Sequence, residues 1–188
     1  MAKLYYIIGG SGAGKDSLIN YIQEHFPEKA PIKIVQRYIT RPEDAGGENH
    51  ISLSENEFLK MKELDCFCMD WFSHDTYYGI GTEVKNWMYA GYSVIVNGSR
   101  GYLIDAIKTF PNIVPVLIRV DPVRLSERLF SRGREDYKEI QKRVAQAIRL
   151  DNNVSHPHLQ IIDNNGSLEE AGKNLIHLIN NNIKIKCA

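Results

Sequence analysis

The apolar positions of this chain fall in short runs separated by longer amphipathic stretches. Leu4-Tyr5-Tyr6-Ile7-Ile8 is continuously apolar, as a strand buried on both faces must be. A helix-period stretch follows, beginning near Asp16 and running from Leu18 to His25. Pro27 and Pro31 mark a loop, and Ile32 to Ile39 reads as a second strand. Thr40 to Ser54 is polar and turn-rich, with Gly46 and Gly47. Ser54-Glu55-Asn56-Glu57 has the form of a capping box and opens a short helix to about Leu64. Phe67 to Phe72 and Tyr77 to Ile80 predict two short strands joined by a turn at His74-Asp75. Thr82 to Ala90 is helical and is stopped by Gly91. Tyr92 to Val96 and Ile113 to Val120 are strands of the buried type, with a helix over Tyr102 to Phe110 between them. Asp121 is expected to cap, and Pro122 to open, a helix running to Arg132. Gly133 breaks it, and a further helix runs from about Asp136 to Asn152. Leu159 to Ile162 reads as the last strand. Ser167 caps the final helix, with Glu170 completing its box.

Strands alternating with helices predict an α/β fold whose parallel central sheet is covered on both faces. Ligands of such sheets bind outside the carboxyl ends of the strands. Function is therefore expected at Gly9–Lys15, Arg41–His50, Asn97–Arg100 and Asp163–Gly166. The short strands between Phe67 and Ile80 break the alternation and predict a small inserted lobe. At 188 residues the chain suits one domain, 1–188, with the lobe over about 36–80 and a helical lid over about 126–145.

Charge narrows the partners. Lys and Arg number 23, as do Asp and Glu, so no broad attraction to nucleic acid or to a membrane is implied. Locally the balance shifts: nine Lys or Arg face five Asp or Glu between Arg119 and Arg149. The chain begins on its first strand, with no signal peptide, and no apolar run is long enough to span a bilayer. Cys66, Cys68 and Cys187 are odd in number and lack zinc spacing, so reduced thiols in a cytoplasmic protein are expected. The Asn180-Asn181-Asn182 run and the tail 183–188 predict a weakly ordered end.

The chemistry centres on Gly9-Gly10-Ser11-Gly12-Ala13-Gly14-Lys15-Asp16-Ser17, between the first strand and the first helix. That is the context a phosphate-binding loop requires. Its glycines let the backbone turn several N–H groups towards one anion, and the helix start adds the positive end of its dipole. Lys15 is placed to reach the terminal phosphates of a nucleoside triphosphate. The usual loop then has Ser or Thr, whose hydroxyl meets Mg²⁺, but here Asp16 and Ser17 follow. A carboxylate beside a triphosphate is repelled unless a metal lies between them, which makes Asp16 and Ser17 candidate Mg²⁺ ligands. Equally, Asp16 could serve only the helix dipole.

Two further groups accompany the loop. Arg128 and Arg132 share one helical face, and Arg134 and Arg143 follow. With Glu127, Glu135, Asp136 and Glu139 they could form a solvated, salt-bridged helix pair. Beside a phosphate loop they read as a lid that neutralises a transferring phosphoryl group and excludes water. Asn164, in the strand-end loop 163–166, joins the nucleotide-side candidates. The other group is Arg37-Tyr38-Ile39-Thr40-Arg41 with His50 and Tyr77-Tyr78-Gly79. Arg37, Thr40, Arg41, His50 and Tyr78 are all donors suited to a phosphate monoester, although one tyrosine of the pair is expected in the core. No nucleophile constellation stands out, and direct phosphoryl transfer needs none.

These motifs resemble the guanylate kinase family over nearly the whole chain. The matching stretches are Gly9–Ser17, Ile39-Thr40-Arg41-Pro42, Tyr77-Tyr78-Gly79, Arg128–Gly133 and Arg143. The positions that read guanine in that family depart from it. Met69 stands for the base-reading Glu, Ile80 for the Ser or Thr after Tyr-Tyr-Gly, and Val96-Asn97-Gly98 for the strand-end Asp-x-Asp. His50 aligns with a phosphate-binding Tyr, and the second phosphate-binding Arg after Arg41 is missing. The variant motifs Gly-Lys-Asp-Ser, Arg-Tyr-Ile-Thr-Arg, Gly-Glu-Asn-His-Ile, Tyr-Tyr-Gly-Ile-Gly, Val-Asn-Gly-Ser-Arg and Arg-Gly-Arg-Glu are similar to those of the ribose 1,5-bisphosphate phosphokinases of bacterial phosphonate breakdown. Gly10 stands where that family usually has Pro.

The resemblance implies a P-loop kinase three-layer sandwich with an acceptor-binding lobe and a lid. It implies ATP and Mg²⁺ as cofactors, and phosphoryl transfer to the 1-phosphate of α-D-ribose 1,5-bisphosphate. Lys15, Arg132 and Arg143 would be catalytic. Asn97 and Ser99 could meet ribose hydroxyls, and Arg100 the second phosphate. The expected partner is a small sugar phosphate, with no nucleic acid and no membrane, and a homodimer is left open. The competing readings are guanylate kinase or another nucleoside monophosphate kinase, and a non-catalytic phosphopeptide-binding module of the same fold.

Overall fold

A computed structural model describes residues 2–42, 48–133 and 136–182. Gly46, Gly47, Arg134, Glu135 and the tail 183–188, all singled out above, lie outside the described residues. The elements run β1 (Leu4–Ile8), α1 (Lys15–His25), β2 (Ile32–Ile34), β3 (Tyr38–Ile39), β4 (Ile51–Ser52), α2 (Glu55–Glu63), β5 (Phe67–Ser73), β6 (Thr76–Gly81), α3 (Glu83–Tyr89), β7 (Ser93–Asn97), a 3-10 turn (Arg100–Tyr102), α4 (Leu103–Thr109), β8 (Ile113–Arg119), α5 (Pro122–Ser131), α6 (Tyr137–Asn152), β9 (Gln160–Asp163) and α7 (Leu168–Asn182).

All five residues of β1 are buried, and the strand takes the centre of a parallel five-stranded sheet ordered β2-β7-β1-β8-β9. Side chains alternate across it. Tyr5 and Ile7 join a core with Leu18 and Ile22 of α1, Leu125 and Leu129 of α5, Ile140 and Val144 of α6, and Leu175 of α7. Leu4, Tyr6 and Ile8 join a second core on the opposite face, with Val84 of α3, Leu103 and Ala106 of α4, and Met69, Trp71 and Ile80. The expected covering of both faces is present, but one face is closed partly by strands rather than by helices alone. Among the described residues, no helix is long and apolar enough to cross a membrane.

Those strands belong to a second sheet, ordered β4-β3-β6-β5. The single strand expected over Ile32 to Ile39 is therefore two strands in two sheets. Val35 still donates to Ile95 O at 3.0 Å, next to the main sheet. Two residues on, Arg37 O accepts from Ile51 N–H at 2.8 Å in the second sheet. The apolar pattern runs through the crossing, which is why it read as one strand. Ile51–Ser52, inside the stretch read as loop, is a strand parallel to β3. The β5–β6 hairpin turns at His74 and Asp75 as expected, both at positive φ (51° and 55°), as a two-residue primed turn requires.

Caps follow the sequence with one exception. Ser54 with Glu57, and Asp136 with Glu139, form complete capping boxes. Ser167 Oγ accepts from Glu170 N–H at 3.2 Å. Asp121 holds the N-cap position of α5 without a side-chain cap bond; its own N–H donates to Asn165 Oδ1 at 2.8 Å.

Candidate active site

β1 delivers the chain into the Gly9–Gly14 loop at the carboxyl edge of the sheet. Gly12 and Gly14 both stand at φ 89°, a conformation that L side chains rarely adopt. Lys15, the first residue of α1, folds back over the loop and donates to Gly9 O at 3.0 Å and Gly10 O at 3.2 Å. Burial pushes its ammonium down to about 8, against a smaller raising effect of Asp16. The loop is braced from β9. Asn164, 3% exposed, donates through Nδ2 to Ala13 O at 2.8 Å, and its own carbonyl accepts from Arg128 at 2.8 Å. Asn164 and Arg128, expected to touch nucleotide, thus hold the loop and each other, and neither lines the cleft.

The cleft above the loop encloses about 460 Å³. Gly9, Ser11, Gly12, Gly14, Lys15, Asp16 and Ser17 form its floor; Arg132 and Arg143 stand on the side of α5 and α6; Arg37, Arg41, Tyr78, Asn97, Ser99 and Arg100 close the other end. Gly10 and Ala13 belong to the loop but not to the wall of the cleft. Arg143 reaches the loop directly, donating to Ser11 Oγ at 3.3 Å. Five positively charged side chains besides Lys15 thus converge on one cleft, as a site handling several phosphates needs.

Other expected donors have other work. His50 is buried, with Nδ1 3.0 Å from Glu48 O and Nε2 3.0 Å from Arg41 O, so it bolts the loop backbone together and does not line the cleft. Thr40 Oγ1 accepts from Tyr77 N–H at 2.9 Å and lines a separate groove with Ser52 and Ser54. Arg100 lines the cleft but is tied by NH1 to Asp151 and to Ala147 O of α6. Met69 and Ile80, expected to face the acceptor, are 1% and 0% exposed and belong to the core under the cleft. They share a strand face with Trp71 and Tyr78, but only Trp71 and Tyr78, two residues along each strand, line the cleft.

The residue that sequence reasoning missed is Glu48. Its carboxylate receives Nε and NH2 of Arg37, lies 4.0 Å from NH2 of Arg41, and accepts from Asn97 Nδ2 at 3.2 Å. The same Asn97 amide donates to Asp16 Oδ1 at 2.7 Å. One amide therefore joins the strand end, the phosphate loop and the acceptor side. Asn97 Oδ1 and Arg41 Nε have no hydrogen-bond partner among the described residues. The available signal was the place of Glu48 in the Gly-Glu-Asn-His-Ile motif, two residues before His50. Trp71 was also missed; it lines the cleft and stacks on Tyr78 at 5.5 Å.

Comparison with known proteins agrees with this geometry. The family model described as guanylate kinase matches residues 1–182. The chain is 45% identical to "Ribose 1,5-bisphosphate phosphokinase PhnN" of Psychromonas ingrahamii, over 95% of this chain and 90% of that protein. It is 48% identical to the protein of the same name from Desulfomicrobium baculatum, over 95% of each. The solved guanylate kinase of Anaplasma phagocytophilum superposes with a TM-score of 0.69 over 99% of this chain and 88% of its own, at 14% identity, which speaks for the fold alone.

Proposed function

Since the chain belongs to the guanylate kinase family, we propose that it transfers the γ-phosphoryl group of ATP to the 1-phosphate of α-D-ribose 1,5-bisphosphate, giving ADP and 5-phospho-α-D-ribose 1-diphosphate. The observation that carries the choice of acceptor is near-full-length similarity to relatives bearing that name. An oxygen of the acceptor phosphate attacks the γ-phosphorus, and the bond from that phosphorus to the β-phosphate bridging oxygen breaks. Lys15 and the loop amides hold the donor phosphates, and Arg132 and Arg143 neutralise the charge in transfer. Arg41, Arg100, Tyr78 and Ser99 face the acceptor. A panel assay tests the reading: ATP with ribose 1,5-bisphosphate, GMP, AMP and dTMP. Ribose 1,5-bisphosphate should show by far the highest specificity constant; an equal or higher value for GMP would sink the proposal.

Mg²⁺ fits the oxygen donors of Asp16 and Ser17, both of which line the cleft beside the loop. When bound, it would screen the phosphate charge that otherwise repels Asp16. The Asn97 amide orients that carboxylate, placing the one loop acid next to the strand end. Asp16→Asn should therefore raise the Mg²⁺ concentration for half-maximal rate several-fold, while metal-free ATP affinity stays the same or improves. An unchanged magnesium dependence would leave Asp16 with only its helix-dipole role.

A further inference from the structure

With Met69 and Ile80 in the core, discrimination between a nucleotide and a base-free sugar phosphate must come from the side chains that do line the acceptor end. The Arg37 guanidinium carbon lies 4.8 Å from the Tyr78 ring centre and 5.8 Å from that of Trp71. Tyr78 and Trp71 are themselves nearly parallel, at 7°. A stacked planar group over an aromatic pair is also how a nucleobase binds. The position is taken by a guanidinium joined edge to edge with a carboxylate, a planar, hydrogen-bonded unit. Both partners are nearly buried, at 11% and 12% side-chain exposure, and Asn97 anchors the carboxylate to β7.

We propose that the Arg37–Glu48 pair is the specificity-determining element of the acceptor site: it fills the aromatic slot over Tyr78 and Trp71 and so excludes a nucleobase while admitting a base-free sugar phosphate. Arg37 then acts mainly as a wall. The fork edge that would grip a phosphate is committed to Glu48, whereas Arg41 lines the cleft with its NH2 no nearer than 4.0 Å to Glu48 and keeps its terminal nitrogens for the acceptor. The identity of the preferred sugar phosphate rests on the function proposed above, but the slot does not.

The test measures binding of GMP and of ribose 5-phosphate, which differ by the base, to the full chain. In wild type ribose 5-phosphate should bind more tightly than GMP. In an Arg37→Ser, Glu48→Ser double variant, GMP should gain at least about tenfold over ribose 5-phosphate through stacking. It should also quench tryptophan fluorescence in a way that Trp71→Phe abolishes. Glu48→Gln keeps the slot filled and should show no such gain. A ratio of GMP to ribose 5-phosphate affinity that stays at its wild-type value in a double variant that still binds ATP would overturn the proposal, as would a gain in Glu48→Gln equal to that of the double variant. If the double variant does not fold, Arg37→Gln carries the test, with a several-fold GMP gain expected and none overturning it. Failure of wild type to turn over ribose 1,5-bisphosphate would remove the proposed function and leave this measurement standing.

Discussion

Lys15→Ala should lower turnover by roughly 10²-fold or more, because it removes the one cation that the phosphate loop itself supplies to the transferring group. The fold should survive, since Lys15 is bonded only to backbone carbonyls of its own loop. Near-normal activity in the variant would mean that the loop is not a catalytic phosphate site. The same residue carries a pH signature. Its ammonium is pushed down to about 8 from 10.5, mainly by burial. A lysine whose folded value lies below its unfolded value prefers to be neutral in the folded chain. The cost of protonating it is full below about 8 and fades as pH rises towards 10.5. Lys15→Met should therefore unfold at a higher temperature than wild type at pH 7, with the difference shrinking above pH 8. Binding runs the other way, because the phosphates need the charged form. Apparent ATP affinity of the wild type should weaken by up to about tenfold per unit above pH 8, and Lys15→Met should lack that slope. A slope shared by both proteins would assign it to another group.

Gly98→Ala should damage both stability and acceptor turnover. A Cβ at Gly98 would lie 2.3 Å from Cζ of Tyr6. Tyr6 is fully buried, and its hydroxyl both accepts from Ser99 N–H at 2.9 Å and donates to Ser99 O at 3.3 Å. The ring cannot move aside without losing these bonds, so the strand end moves instead. Overpacking of this kind costs about 2 kcal/mol, or roughly 4–8 °C in melting temperature for a chain of this size. Asn97, Ser99 and Arg100 would move with the strand end. A shift of about 1 Å in a positioning group can cost roughly 10²-fold, so the specificity constant for ribose 1,5-bisphosphate should fall by that order. Tyr6→Leu in the Gly98→Ala background should recover part of the lost activity by making room. If Gly98→Ala melted and turned over like wild type, the close packing of Tyr6 against the strand end would have no functional weight.

Much of this was legible along the chain. The phosphate loop, its flanking strand and helix, the capping box at Ser54, and the turn at His74-Asp75 depend on neighbours within a few residues. Local spacing is therefore enough to specify them. Arg132 and Arg143 were legible for a related reason: helices leave the loop edge of a parallel sheet and return across it, so cations on them come to the phosphates.

The roles of the remaining candidates depended on distances that spacing does not contain. Residue type suggested that Arg37, Thr40, His50 and Asn164 were ligands, yet other groups of the chain had already engaged them: Glu48, Tyr77, the carbonyls of Glu48 and Arg41, and Ala13 O. Met69 and Ile80 share a strand face with Trp71 and Tyr78, and only the packing of that face against β7 and α4 settled that the first pair is covered and the second lines the cleft. By itself the sequence determined an α/β kinase fold and its glycine-rich loop, since short-range backbone geometry and periodic burial suffice for both. The tertiary structure decided which donors remain open to a substrate and what fills the acceptor slot. A buried polar group takes whichever partner the fold brings within about 3 Å, and residue type alone does not name that partner.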